Sequence, residues 1–274
     1  MEGYFIKNPV ISSYMPSKNT IFIIGLLCLI TIILVFYLQA APASKAMVIV
    51  EPREHKYLKT VCEQFDKEMD PSWAMYVFHG KSAGDFAKEA TLGIKRRRLH
   101  LIALDTDNLN ANQYNELFKK ASFWNQVRAE DILVFQTDTA LCPASKYKID
   151  QFTKYDYIGC STPHCVDIIN GKKPKDEHHF YGVGGLSFRK KSFMMKCIKD
   201  NPNVTAKFPE DVFFSNCVAE SPNRPIDGYE LSRFCSQNSF MKPSWGAHKL
   251  SRMKDSGMRE NFLKFCPAAV TTIG

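Results

Sequence analysis

DILVFQTD, residues 131–138, is a short apolar run that ends abruptly in polar, turn-forming residues. That is the pattern of a buried strand closing at Phe135. Just upstream, Tyr114, Leu117, Phe118 and Ala121 fall at i, i+3, i+4 and i+7. This is the apolar stripe of a helix. Further back the alternation repeats. LHLIAL (99–104) reads as a strand, 82–91 as a helix, and WAMYVF (73–78) as a strand. Leu58, Val61, Cys62 and Phe65 form another helical stripe, and MVIVEP (47–52) the first strand. Strand and helix in strict alternation predict an α/β fold with a mostly parallel, doubly wound sheet. Such sheets bind ligands beyond the carboxyl ends of their strands, so the residues after each strand are the candidates for chemistry.

The chain has 274 residues, 45% of them hydrophobic and 23% charged, with a formal net charge of +8. This composition excludes a wholly disordered or collagen-like chain. Residues 20–38, TIFIIGLLCLITIILVFYL, carry no charge. As a helix they span about 28 Å, close to the thickness of a bilayer's hydrocarbon core. The run is longer than the apolar core of a secretory signal, which favours a retained, single-pass anchor. Lys7 and Lys18 before it and Lys45, Arg53 and Lys56 after it give no firm orientation. The expected organisation is a tail at 1–19, an anchor at 20–38, a stem at 39–46, one domain at 47–250 and a loose, basic extension at 251–274.

Other features read more plainly. Lys95 to Arg98 is a basic run without interleaved aromatics, the mark of a solvated face rather than a nucleic-acid surface. Cys160, His164 and Cys165, like His178-His179, match no established zinc spacing. Eight of the nine cysteines lie beyond the anchor, so disulfides are open to the domain if it is lumenal, with pairing unspecified. Asn203-Val204-Thr205 is an acceptor sequon. Two sites compete for a hard cation. Asp105-Thr106-Asp107 follows LHLIAL but also reads as turn and cap chemistry. Gln136-Thr137-Asp138 follows DILVF and offers a single carboxylate. Pattern alone does not choose between them.

An ordered set of segments adds to this: VEPR (50–53), FHG (78–80), YN (114–115), FW (123–124), ILVFQTD (132–138), YDYIG (155–159), VGGLSFR (183–189), PEDVFF (209–214) and WGAHK (245–249). From Val48 to Lys249 the chain resembles an uncharacterised-domain family of glycosyltransferases with a GT-A, Rossmann-like fold. The resemblance implies that Asp138 is the last carboxylate of the metal-binding motif, with Gln136 in place of its first acid, and that His248 completes the metal site. It implies that Glu51, Pro52 and Arg53, with Gln136 and Thr137, bind the nucleotide-sugar donor. Gly184 and Gly185 would form an acceptor-side loop. Asp211 in PEDVFF would be the catalytic base of an inverting enzyme, with Glu210 orienting the loop or contacting acceptor.

The expected function is therefore a membrane-anchored transferase moving sugar from a nucleotide-sugar, a UDP-sugar first among donors, to a hydroxyl of a glycan, protein or lipid. The expected cofactor is Mn²⁺ or Mg²⁺, and the expected setting a type II membrane protein of the ER or Golgi with no nucleic-acid partner. Two alternatives use the same residues. One is a metal-dependent hydrolase of phosphate or glycosyl esters. The other is a catalytically inactive nucleotide-sugar-binding module, suggested by Gln136.

Overall fold

The structure, a computed structural model, describes residues 17–40, 44–96, 98–162, 181–203, 208–238 and 243–273. It divides into two units, Met1–Pro42 and Ala43–Gly274. The first contains helix α1 (Lys18–Ala40), which extends past the expected anchor by two residues at each end. Its described side chains, 19–31, are exposed. Among the described residues no helix is long and apolar enough to cross a membrane.

The second unit is built on a six-stranded sheet of order β3-β2-β1-β4-β7-β6. Its strands are β1 (Lys45–Glu51), β2 (Ala74–His79), β3 (Leu99–Ala103), β4 (Asp131–Phe135), β6 (Tyr157–Cys160) and β7 (Val183–Lys190). β1 to β4 run parallel. β7 is antiparallel to both β4 and β6. The expected mostly parallel sheet is thus present. β1 starts at Lys45, so the last two residues of the expected stem belong to the sheet.

The continuous apolar strands are explained by burial on both faces. Met47, Ile49, Leu133 and Phe135 face one core with helix α2 (Leu58–Glu68). Val48, Val50, Ile132 and Val134 face another. There they meet α4 (Ala111–Phe118), α5 (Ala121–Asn125), α6 (Lys191–Asp200) and α7 (Glu210–Val218). A shorter helix, α3 (Gly84–Ala90), links β2 to β3. The stripe expected to run through Ala121 breaks after Phe118. The Trp124 indole N–H donates to the Phe118 carbonyl at 2.7 Å, satisfying an acceptor that a continuing helix would have used. The cap of α4 is Asn110, in a reciprocal box with Gln113.

The basic run is also resolved in part. Arg96 donates to the carbonyls of Asp66, Met69, Asp70 and Trp73 at 2.7–2.8 Å and pairs with Asp66 at 2.7 Å. It closes the carboxyl end of α2, while Arg97 lies outside the described residues.

The chain after Leu250 is not loose. α9 (Ser256–Phe265) is capped by Asp255. Phe262, Cys266 and Ala269 bury against Ala140, Ala247 and Met253. A disulfide joins Cys142 to Cys266. A second, Cys160–Cys235, connects the main sheet to a small one of order β5-β9-β8, made of β5 (Thr139–Leu141), β9 (Gly246–His248) and β8 (Cys235–Ser236). Between β7 and β8, after α6 and α7, lies α8 (Gly228–Phe234). His164, Cys165, His178, His179 and most of the 203–205 sequon lie outside the described residues.

Candidate active site

The chain winds from β1 outward to β3, then returns to place β4 on the other side of β1. That reversal opens a crevice at the carboxyl ends of β1 and β4. Glu51 closes β1 and Gln136-Thr137-Asp138 follows β4, so the two segments meet there. A cleft of about 210 Å³ is lined by Glu51, Arg53, Tyr114, Gln136, Asp138 and Lys249, among others. Pro52 and Thr137 also line it.

Each side chain is held by local chemistry. The buried Glu51 carboxylate accepts from the Arg53 backbone at 3.1 Å and from its guanidinium at 2.8 and 2.9 Å. After β4 the chain turns tightly, with the Thr139 hydroxyl and backbone N–H both donating to the Gln136 carbonyl. β5 then pairs with β9, setting Thr139 opposite His248. The Lys249 N–H donates to the Asp138 carbonyl at 2.9 Å. Asp138 and His248 become neighbours although 110 positions separate them in sequence. Lys249 sits at φ 51°, the one non-glycine with positive φ among the described residues. Such a conformation costs of order 1–3 kcal/mol and concentrates at functional sites. Here it brings the Lys249 amine to 3.5 Å from Asp138.

Asp138 Oδ1 and His248 Nε2 are 3.4 Å apart. Both are buried, and neither has a hydrogen-bond partner. His248 Nδ1 lies 2.8 Å from the Gln237 amide oxygen. That contact places the proton on Nδ1 and leaves an Nε2 lone pair facing the carboxylate. Burial pushes the Asp138 carboxyl up, but its contacts with His248 and Lys249 outweigh it and hold it at about 2. An ionised oxygen and an imidazole lone pair, buried and unpartnered side by side, form the donor set a divalent cation takes. No cluster of three or more His, Cys, Asp or Glu side chains exists among the described residues. Asp138 and His248 would therefore hold the metal, with the remaining positions left to phosphate and water.

The two glycines of VGGLSFR lie inside β7, not in a loop, and both are buried. Their missing side chains admit two other groups. A Cβ on Gly185 would overlap the His248 ring, with Gln136 Oε1 only 2.8 Å away. A Cβ on Gly184 would overlap the Glu210 carboxylate. Glu210 itself is committed: Arg189 grips it through two bonds of 2.6 and 3.0 Å. Arg189 is fully buried among Phe118, Trp124, Tyr157 and Phe214, 5.2–5.8 Å from their rings. Glu210 is thus turned into the core rather than toward the cleft. Asp211 accepts from the Gly184 N–H at 3.3 Å and from the Val212 N–H. Burial, then repulsion from Glu210, raises its carboxyl to about 6, against the pull of the two N–H groups and Arg189.

The rival carboxylates are occupied elsewhere. Asp107 accepts from the Ser82 N–H and hydroxyl at 2.6 and 2.8 Å, tying two surface turns together, and both it and Asp105 are exposed. Sequence reading had passed over Tyr114, Arg189, Gln237 and Lys249 as functional. Tyr114, Arg189 and Lys249 lie inside quoted motifs. The left-handed backbone of Lys249 and the pairing of Gln237 leave no local trace.

An α/β unit with a switch-point crevice, a buried aspartate–histidine contact at that crevice and a raised carboxyl on α7 is the arrangement at hand. The chain belongs to the family described as protein of unknown function (DUF5672), whose model matches residues 98–248. No curated relative matches it. Among solved structures, it is similar to core-mannan synthase A (CmsA/Ktr4) from Aspergillus fumigatus in its Mn/GDP form. That match has 9% identity and TM-score 0.46, covering 68% of this chain and 71% of that one. Galactosyltransferase LgtC, in complex with donor and acceptor sugar analogues, has 9% identity and TM-score 0.46, covering 80% and 94%. Mannosyltransferase PcManGT from Pyrobaculum calidifontis, in complex with GDP-Man and Mn²⁺, has 10% identity and TM-score 0.42, covering 65% and 51%.

Proposed function

We propose that the chain is a glycosyltransferase that moves a sugar from a nucleotide-sugar to an acceptor hydroxyl, with a divalent metal and with inversion at the anomeric carbon. The observation that carries this reading is the pair of adjacent glycines, Gly184 and Gly185. One touches the carboxylate of Asp211 and the other leaves room for the His248 ring. A poised base and a metal-ligand pair are thereby gathered about neighbouring residues of one strand, whose Cα atoms lie about 3.8 Å apart.

In this mechanism the acceptor hydroxyl gives its proton to Asp211 as its oxygen attacks the anomeric carbon. The bond to the leaving diphosphate breaks on the opposite face, in a single displacement. Lys249 lies where it can meet the charge that grows on the diphosphate. A bound Mn²⁺ or Mg²⁺, held by Asp138 and His248, would supply Lewis-acid stabilisation of that charge. Gln136 adds an amide oxygen, not a second carboxylate. Glu51, with Arg53 fixed against it, is placed for the ribose or base of the donor, a UDP-sugar or another nucleotide-sugar.

The uncharged run at 20–38 is what supports a single-pass anchor, and the two disulfides of the second unit support an oxidising, lumenal setting such as the ER or Golgi. The acceptor in that setting is a glycan, protein or lipid hydroxyl. The test is a nucleotide-sugar screen of the full chain with and without Mn²⁺, scored for transfer and for donor loss. Transfer that requires an acceptor supports the reading. Acceptor-independent donor cleavage as the main activity would make the protein a hydrolase, and binding without turnover would make it a binding module.

A further inference from the structure

Six buried side-chain nitrogen and oxygen atoms make no hydrogen bond of ordinary geometry among the described residues. Three of them, Tyr114 OH, Asp138 Oδ1 and His248 Nε2, belong to residues around the same crevice. Buried polar groups are normally satisfied, so such a concentration marks where a ligand supplies the missing partners. A metal ion accounts for Asp138 and His248. It does not account for Tyr114, whose phenol has a proton to give.

We propose that Tyr114 is a donor-binding residue whose hydroxyl gives a hydrogen bond to the diphosphate of the bound nucleotide-sugar, an inference that rests on the glycosyltransferase reading. The ring is fixed in place on α4, stacked on Phe118 with centroids 4.7 Å apart and planes 25° apart. Burial pushes the phenol well above its ordinary range, against the opposing pull of the nearby Gln136 side chain, so the hydroxyl stays protonated and able to donate at any physiological pH. The cleft wall it shares with Asp138 and Lys249 selects the ligand. Lys249 is a cation that would draw phosphate oxygens, and Asp138 holds the metal that would bind them. Glu51 and Arg53, bonded to each other, form the part of the same wall left for ribose and base. An oxygen-rich anion between Tyr114 and Lys249 is the occupant that satisfies both.

The test uses the full chain and its Tyr114→Phe variant, with inorganic pyrophosphate and Mn²⁺ as the probe. Phenylalanine keeps the ring and its stack on Phe118 and removes only the oxygen. Calorimetry should show pyrophosphate affinity falling about tenfold, as for a lost hydrogen bond to a charged acceptor. The melting temperature without ligand should hold or rise, because an unsatisfied hydroxyl has been removed. Equal affinity in both proteins would overturn the role of Tyr114 and leave the glycosyltransferase reading standing. A melting temperature that falls with the affinity would assign the hydroxyl to the fold and overturn the proposal. Failure of the unmodified chain to bind pyrophosphate with Mn²⁺ would overturn both.

Discussion

An aspartate near a buried arginine ordinarily titrates low, yet Asp211 is raised to about 6. Arg189 is already neutralised by Glu210, so burial and the charge of Glu210 prevail. The sign of the consequence follows. Below about pH 4 the carboxyl is protonated whether the chain is folded or not. As pH rises through 6 the folded protein must ionise a group it holds more comfortably neutral, so stability is lost across that window. Asp211→Asn should therefore keep or raise the melting temperature at pH 7.5 and preserve nucleotide binding, while transfer falls 10²–10⁴-fold, roughly the range of a general base. A small loss would reduce PEDVFF to helix-start chemistry. The pH profile of kcat/KM should show an acid limb with a midpoint near 6. Glu210→Gln leaves Arg189 uncompensated, which moves that midpoint downward and destabilises the fold by about 3–5 kcal/mol, the cost of breaking a buried pair. An unmoved limb would show that another group is the base. For the metal, Asp138→Ala should abolish Mn²⁺-dependent nucleotide binding in a thermal-shift assay, whereas Asp105→Ala and Asp107→Ala should retain most of it.

Strand β7 and the small sheet do the positioning between elements. β7 carries the glycines, and β9 carries His248 across from Thr139. Gly185→Ala puts a methyl group into the His248 ring, so His248 must leave Asp138. Mn²⁺ affinity, read by titration, should fall far more than thermal stability. Retained affinity would mean His248 is no ligand. The small sheet is itself braced by the chain after Leu250. Cys266→Ser opens a loop of 124 residues and should cost about 2–5 kcal/mol of stability, visible as a lower denaturation midpoint, with reduced wild-type protein, which also loses Cys160–Cys235, lower still. No change in midpoint would return that segment to the status of a loose extension.

Across the whole chain, one unit ends at Pro42 and the other begins at Ala43. A chain beginning at Ser44 keeps every residue of β1 and should express as a folded soluble domain, while the full chain should resist carbonate extraction from membranes. Misfolding of the shortened chain would make α1 part of the core. The apolar runs and helical stripes were legible because burial on both faces of a sheet leaves its imprint residue by residue: Met47 to Val50 and Ile132 to Phe135 could only be interior strands. The candidate site was legible as motifs near strand ends, since a doubly wound sheet puts its crevice there. What the motifs lacked was their joining. Nothing in local pattern shows that Asp107 is spent on Ser82, that Glu210 is spent on Arg189, or that Cys266 closes on Cys142. Sequence periodicity reports which face a residue buries, because that depends on a local repeat. Only the tertiary structure decided that Asp138 meets His248, that Lys249 turns left-handed to reach it, and that Tyr114 is left with an unpaired hydroxyl beside them. Those contacts depend on strand order and register, which long-range packing sets and no short window of sequence contains.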